Sequence, residues 1–189
     1  AEYSLLPAST NTRNNRERQK ISGRTAEIQR LIGRSLRACI DLTRLGQRTI
    51  TIDADVLQAD GGTRVAAITG GYVALSLAIE HLNNEGKLSE SPLLSPVAAV
   101  SVGILGGSDE VVLDLNYEED SLAGVDANVV LNGDGKLIEF QATSEGIPYS
   151  REQLISMVDI ATAGIQELIQ KQKSVLEATK AETKAPAVV

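Results

Sequence analysis

Apolar residues recur along this chain at spacings that switch from helical to strand-like and back. Ile28, Leu31, Ile32, Leu36, Cys39 and Ile40 fall on one stripe, with Glu27, Arg30, Arg34, Arg37, Asp41 and Arg44 opposite. That period predicts an amphipathic helix from about Gly23 to Leu45, capped by Ser22 and ended by Gly46. Residues 48–58 alternate instead, with Ile50, Ile52, Ala54 and Val56 on one face, and predict a strand. Asp60-Gly61-Gly62-Thr63 reads as a turn into a second helix, about Arg64 to Asn83, apolar nearly all round and therefore buried. Gly70-Gly71 inside it cost about 1 kcal/mol each against Ala, and read as close helix–sheet packing.

The second half is strand-rich. After a surface loop, 83–96, the run Val97–Leu105 is continuous enough to be a central strand. Gly106-Gly107-Ser108-Asp109 predicts a hairpin turn into a strand over 110–116. An acidic connection, 117–124, leads to a strand over 125–132, and Asn132-Gly133-Asp134-Gly135 turns into another over 136–143. Ser150-Arg151-Glu152-Gln153 fits a capping box. It opens a last helix through Gln170 or beyond, with Leu154, Met157, Val158, Ala161, Ile165, Leu168 and Ile169 as its stripe. Residues 1–20 read as an arm or loop. The class is α+β, a mixed, largely antiparallel sheet with packed helices, in one domain over 1–175 followed by a polar, disordered tail over 176–189.

Composition narrows the function classes. The 189 residues are 42% hydrophobic, enough for one ordinary core, and the periodic blocks exclude a disordered chain. No apolar run approaches the ~20 residues of a membrane helix, and no basic segment opens the chain as a secretory signal would, so no membrane partner is expected. The lone Cys39 excludes a disulfide framework and fits a reducing, cytoplasmic compartment. With His81 the only histidine, a histidine-rich metal site or triad lacks partners. The chain begins at Ala1 and its only methionine is Met157, which suggests removal of the initiator or of a longer N-terminal segment.

The net charge of −7 is unevenly divided. Residues 1–50 carry ten Lys/Arg against four acids, a net of +6, and the rest of the chain is −13. From Asp109 to Asp126 there are seven acids and no base. A basic surface meeting an acidic cluster outlines a metal-assisted enzyme acting on nucleic acid or nucleotides. A solvated helix face beside an acidic loop explains the same charges.

Three constellations carry the candidate chemistry. In the first, Gly62, Thr63 and Arg64 stand where a glycine turn enters a helix N-terminus, whose N–H groups and dipole favour an anion. It matches neither the P-loop nor the dinucleotide fingerprint. The second, Asp114, Glu118, Glu119, Asp120 and Asp126, offers carboxylates suited to Mg²⁺ and to general acid work. The third is the arm Arg13, Arg16, Arg18 and Lys20 with Arg24, suited to phosphate contact without base stacking. Each has a structural alternative: a turn glycine, a solvated loop, a soluble arm.

The segments RTITIDADVLQADGGTRVAAITGGYVAL (48–75), AEYSLLP (1–7), KISGRTAEIQRLIGRSLRA (20–38), LDLNYEEDSLAGVDANVV (113–130) and IQELIQKQKSVL (165–176) closely resemble the ribonuclease PH family of bacterial phosphate-dependent 3′→5′ exoribonucleases, which trim tRNA ends. The resemblance covers nearly the whole chain. It implies that family's S5-like β-α-β fold, a hexameric ring, inorganic phosphate as co-substrate, Mg²⁺, and release of nucleoside diphosphates from tRNA precursors. By motif it implies phosphate binding at Arg24, Gly62, Thr63 and Arg64, catalytic and metal-linked aspartates at Asp120 and Asp126, and RNA binding at Arg13 and Arg16.

The chain also departs from the pattern. Ala8 stands where the family has a basic residue, which implies a weaker grip on RNA. Ala142-Thr143-Ser144-Glu145 replaces a glycine-rich GTGE, which implies a stiffer loop beside the site. The resemblance further implies a segment ahead of Ala1 that completes part of the sheet. A catalytically incomplete fragment or ring subunit that binds RNA or assembles without phosphorolysis is therefore the alternative, and a hydrolytic Mg²⁺ nuclease is a third.

Overall fold

The strand Val97–Leu105 (β3) is buried along nearly all its length because both of its faces are covered. It lies inside a four-stranded antiparallel sheet of order β4-β3-β5-β6, with β4 Val111–Leu113, β5 Ala123–Asn132 and β6 Leu137–Ser144. The computed structural model to which these elements belong describes residues 1–17, 20–106, 108–146 and 148–184. Ala98, Val100, Val102 and Ile104 of β3 share one sheet face with Ala127, Val129 and Leu131 of β5. That face packs on Met157, Ala161, Ile165 and Ile169 of the long helix α5, Arg151–Lys184. The other face, Val97, Ala99 and Val130, joins a second cluster with α1 (Gly23–Arg37) and α3 (Thr63–Asn84). Two apolar faces thus explain why β3 reads as an unbroken apolar run rather than an alternating one.

A separate ribbon flanks the second cluster: β1 (Glu2–Leu5) pairs in parallel with β2 (Asp53–Val56) and buries Tyr3 there. Short β4 pairs only with Val102–Ile104, so side chains finish the upstream edge of β3. The Thr69 hydroxyl donates to the Ala99 carbonyl at 3.2 Å and accepts from the Ala99 N–H at 3.1 Å. The Gln172 amide donates to the Val97 and Thr69 carbonyls, each at 2.9 Å. These contacts tie α3 and α5 to the part of this edge that β4 does not reach.

Several expectations are corrected. The first helix stops at Arg37, because Ile40 leaves to bridge Leu93 while the Leu94 N–H donates to the Cys39 carbonyl. Asp41 then caps a separate turn, α2 (Leu42–Leu45). The strand expected over 48–58 is confined to 53–56, the length of its partner β1, which itself occupies part of the presumed arm. The strand expected over 110–116 ends at Leu113, where Asp114 turns the chain with φ 57° and Leu115 dives into the core. The acidic connection is a helix, α4 (Tyr117–Leu122), capped by Asn116 with Glu119 in a reciprocal capping box.

The tail expected from 176 is helical as far as Lys184. Buried Gln172 anchors α5, and Leu176 packs against the core beyond it. Residues 185–189, like Arg18 of the arm and Gly107 of the expected hairpin turn, lie outside the described residues. Of the glycine pair, Gly71 does sit in a close contact, but against Leu36 of α1 and Ile52 rather than the sheet. A Cβ on Gly70 would meet nothing within 4 Å. By length and composition α3 would also cross a membrane, contrary to expectation. Its packing against α1 and the sheet through Ile68, Leu75 and Ile79 makes it the central helix of the fold.

Gly70 is an exposed helix-interior glycine with open space around it. Gly70→Ala should therefore raise unfolding stability by roughly 0.5–1 kcal/mol in a urea titration. A loss of stability would show that the helix surface is more crowded at this point than the structure gives.

Candidate active site

The apolar second face of the sheet does not run the length of its strands. After Val97 and Ala99, the next positions of β3 on that face are Ser101 and Gly103; opposite them on β5 stand Asn128 and Asp126. The N-terminus of α3 ends above this change in polarity. A cavity of about 760 Å³ opens there, lined by Gly62, Thr63 and Arg64 on one side and by Asp120, Asp126 and Asn128 on the other.

Gly62 is the N-cap of α3, with φ 71° and no side chain to cap the first turn, so the helix N-terminus is left open toward the cavity. Thr63 is held from behind: the hydroxyl of buried Tyr3 lies 2.7 Å from its Oγ1. Arg64 Nη1 donates to Glu27 Oε2 of α1 at 3.2 Å, which fixes the guanidinium at the cavity wall. Arg24, in the first turn of α1, is exposed at the rim.

The carboxylates arrive from the next two elements. Asp120 is exposed on α4, and Asp126 is half-buried on β5. What joins the halves is Asp60, whose Oδ1 accepts from the Gly61 N–H at 2.8 Å and from the Tyr117 N–H at 2.6 Å. Gly61 presses so closely on the Leu115–Asn116 backbone that a Cβ there would overlap the Leu115 carbonyl oxygen. The phosphate-type turn and the start of α4 are thereby one seam. Burial pushes the Asp126 carboxyl above the ordinary carboxylate range, neighbouring Asp120 adds to this, Arg64 pulls it back, and Glu145 raises it again.

Among the described residues no group of three or more His, Cys, Asp or Glu could hold a metal ion. The two aspartates fit Mg²⁺ nonetheless, since that ion commonly takes one or two carboxylates and completes its shell with water and substrate phosphate.

The structure therefore gathers six of the eight residues to which the family resemblance assigns a role, Arg24, Gly62, Thr63, Arg64, Asp120 and Asp126, around one cavity. The arm residues stand apart. Arg16 lines a neighbouring hollow of about 500 Å³ that Arg24 also borders, and Arg13 is exposed outside the lining of both. Asp114, Glu118 and Glu119 divide: Glu118 lines the cavity, Glu119 serves the α4 cap, and Asp114 makes the turn. Sequence reasoning missed the roles of Asp60, Tyr3 and Glu27. It also missed Tyr117, an aromatic 64% exposed at the cavity lining; its only signal was its place just after a helix-capping Asn. Ala142 and Thr143, in the segment expected to be stiff, are paired in β6 against Ala127 and Asp126.

An oxyanion cradle facing two carboxylates across one cavity marks a protein of the phosphoryl-transfer class. The relatives narrow this. A model of the 3′ exoribonuclease family, domain 1, matches residues 1–79, and one of domain 2 matches residues 95–164. Ribonuclease PH of Synechococcus sp. (strain JA-2-3B'a(2-13)) is 60% identical over 179 residues, covering 93% of this chain and 72% of that protein. Ribonuclease PH of Bacillus pumilus (strain SAFR-032) is 55% identical over 177 residues, covering 93% and 73%. An Archaeoglobus fulgidus exosome with RNA bound to the active site shares the fold, with a TM-score of 0.67 at 18% identity over 90% of this chain and 68% of that one. Rice Rrp46 does so with a TM-score of 0.65 at 20% identity, over 93% and 72%. The chain belongs to the ribonuclease PH family.

The raised Asp126 carboxyl has a definite pH consequence. The native state favours its protonated form, so this group supports folding below the ordinary carboxylate pKa and loses that support as pH rises through the raised native value. In metal-free and phosphate-free buffer, Asp126→Asn should therefore raise the Tm at neutral pH, and the advantage should fade on acidification. An equal effect at every pH in a thermal unfolding series would remove the charge-burial account.

Proposed function

We propose that this chain is a phosphate-dependent 3′→5′ exoribonuclease that trims the 3′ ends of tRNA precursors and releases nucleoside diphosphates. The observation that carries the reading is the single cavity holding Gly62, Thr63 and Arg64 opposite Asp120 and Asp126. Inorganic phosphate binds at the N-terminus of α3, where the Thr63 hydroxyl and the Arg64 guanidinium join the open backbone N–H groups and Arg24 closes the rim. One of its oxygens forms a bond to the phosphorus of the last phosphodiester. The bond from that phosphorus to the preceding 3′-oxygen breaks, the 3′-oxygen takes a proton, and the products are a shortened RNA and a nucleoside diphosphate.

The chain's contribution is chiefly placement and charge. Glu27 and Tyr3 hold Arg64 and Thr63 in position before substrate arrives. One of the two carboxylates, Asp120 or Asp126, delivers the proton that the departing oxygen takes up. The raised proton affinity of Asp126 in the metal-free site favours Asp126 for that part when the ion sits on Asp120. Asp120 and Asp126 are the carboxylates that would hold a magnesium ion, which when bound stabilises negative charge on the leaving oxygen and on the transferring group. Arg16, in the neighbouring hollow, and exposed Arg13 are assigned to the RNA backbone. The reading extends to a homo-oligomeric, hexameric ring, which the family assignment supports. It places the protein in the cytoplasm, where buried Cys39 stays a thiol.

The test incubates the chain with a tRNA precursor and Mg²⁺, with and without phosphate. Phosphate-dependent release of nucleoside diphosphates is expected. Monophosphates released without phosphate would indicate a hydrolytic nuclease, and binding without release an inactive ring or RNA-binding subunit. Asp126→Asn should abolish turnover while RNA binding stays largely unchanged, and Arg64→Ala should raise the KM for phosphate more than that for RNA.

A further inference from the structure

The floor of the cavity carries a hydroxyl that the fold leaves unused. Ser101 is 2% exposed, and among the described residues its Oγ has no hydrogen-bond partner. The buried serines on helices avoid this: Ser35 and Ser76 donate to carbonyls one helical turn back, at 2.9 and 2.8 Å. On a strand Ser101 has no such carbonyl, and its own backbone oxygen already accepts from the Asp114 N–H at 2.7 Å. Its predecessors on the same face, Val97 and Ala99, are apolar, so packing alone would favour another apolar residue here.

The position of the hydroxyl says what it faces. Gly62 crosses directly above it, close enough that a Cβ on Gly62 would stand 3.3 Å from the Ser101 Oγ. Asn128 is directly opposite on β5, and Asp126 is two residues further along that strand, on the same face. Among the described residues three other buried side-chain atoms lack partners, on Ser9, Glu27 and Gln172, and none of these residues lines the cavity. An uncapped helix N-terminus and an unpaired buried hydroxyl therefore converge on one spot from two unrelated elements, α3 and β3. Both can donate hydrogen bonds. An oxyanion answers both, and a phosphate has oxygens enough to accept from the helix N–H groups and from a hydroxyl beneath them.

We propose that Ser101 is a phosphate-binding residue, its Oγ–H donating to inorganic phosphate from the sheet floor while the N-terminus of α3 and Arg64 hold it from the helix side. This rests on the phosphorolytic reading of the cavity. It makes β3 a third wall of the anion site and explains why the tight Gly62 conformation is needed: a side chain there would cover the hydroxyl.

The test compares wild type with Ser101→Ala by calorimetric titration of inorganic phosphate, by titration of a 3′-hydroxyl RNA in phosphate-free buffer, and by thermal unfolding without ligand. The expected result is a Tm equal to or above that of wild type, RNA affinity within about two-fold, and phosphate affinity reduced roughly ten-fold or more, the scale of one hydrogen bond to a charged group. A lower Tm with unchanged phosphate affinity would make the hydroxyl structural and overturn the inference. Loss of RNA affinity with phosphate binding intact would also overturn it, assigning the hydroxyl to the RNA instead. Wild type that binds no phosphate would defeat the phosphorolytic reading itself, whereas wild type that binds it and a variant that binds it equally defeat only the role of Ser101.

Discussion

The contact on which this architecture turns is the seam between Gly61 and the Leu115–Asn116 backbone, closed by Asp60. No side chain fits at Gly61, so two loops far apart in sequence can lie backbone to backbone. The Asp60 carboxylate satisfies N–H groups on both sides of the join. One loop launches α3 with an open N-terminus, and the other launches α4 toward Asp120 and then β5 toward Asp126. Without the seam the fold would hold an anion cradle and an acidic patch as separate features. With it they share one cavity.

The second determinant is a change of character along the sheet. On the face that receives α1 and α3, residues 97, 99 and 130 are apolar and residues 101, 126 and 128 are polar. The apolar half is covered by helices and supplies the core; the polar half extends past the end of α3 and supplies a floor. Because the opposite face stays apolar throughout against α5, the strands are held rigidly while one end of one face is free for chemistry. Desolvation at this boundary is also what raises the Asp126 carboxyl, so the core and the reactive group share a cause.

Much of this was legible in local sequence, and the remainder fails for identifiable reasons. Strong periods located α3, β3, β5, β6 and the start of α5, and the GGTR turn and the carboxylate cluster over 114–126 pointed to the reactive region, within which the family resemblance singled out Asp120 and Asp126. Elements stabilised by partners distant in sequence were misjudged. The departure of Ile40 toward Leu93 cut the first helix short, the brevity of β1 trimmed β2, and Gln172 with Leu176 carried α5 past a polar stretch that looks like a tail. The acidic run concealed a helix because its cap was split: Asn116 was read as a strand end and Glu119 only as charge. Within the site, Asp60, Tyr3, Glu27 and Ser101 escaped notice because each acts on a residue 30 or more positions away, which no local spacing reveals.

The central claim, that the seam holds the cradle against the carboxylates, is tested most directly by Asp60→Ala, with phosphate affinity and turnover measured on the same preparation. Asp60 Oδ1 accepts from the Gly61 and Tyr117 N–H groups rather than from the cradle residues 62–64, so the cradle on α3 should keep phosphate affinity within about three-fold. Turnover should fall roughly 100-fold, the scale expected when reacting groups are displaced by about an ångström. Turnover equal to wild type, or loss of both properties in equal measure, would contradict the account.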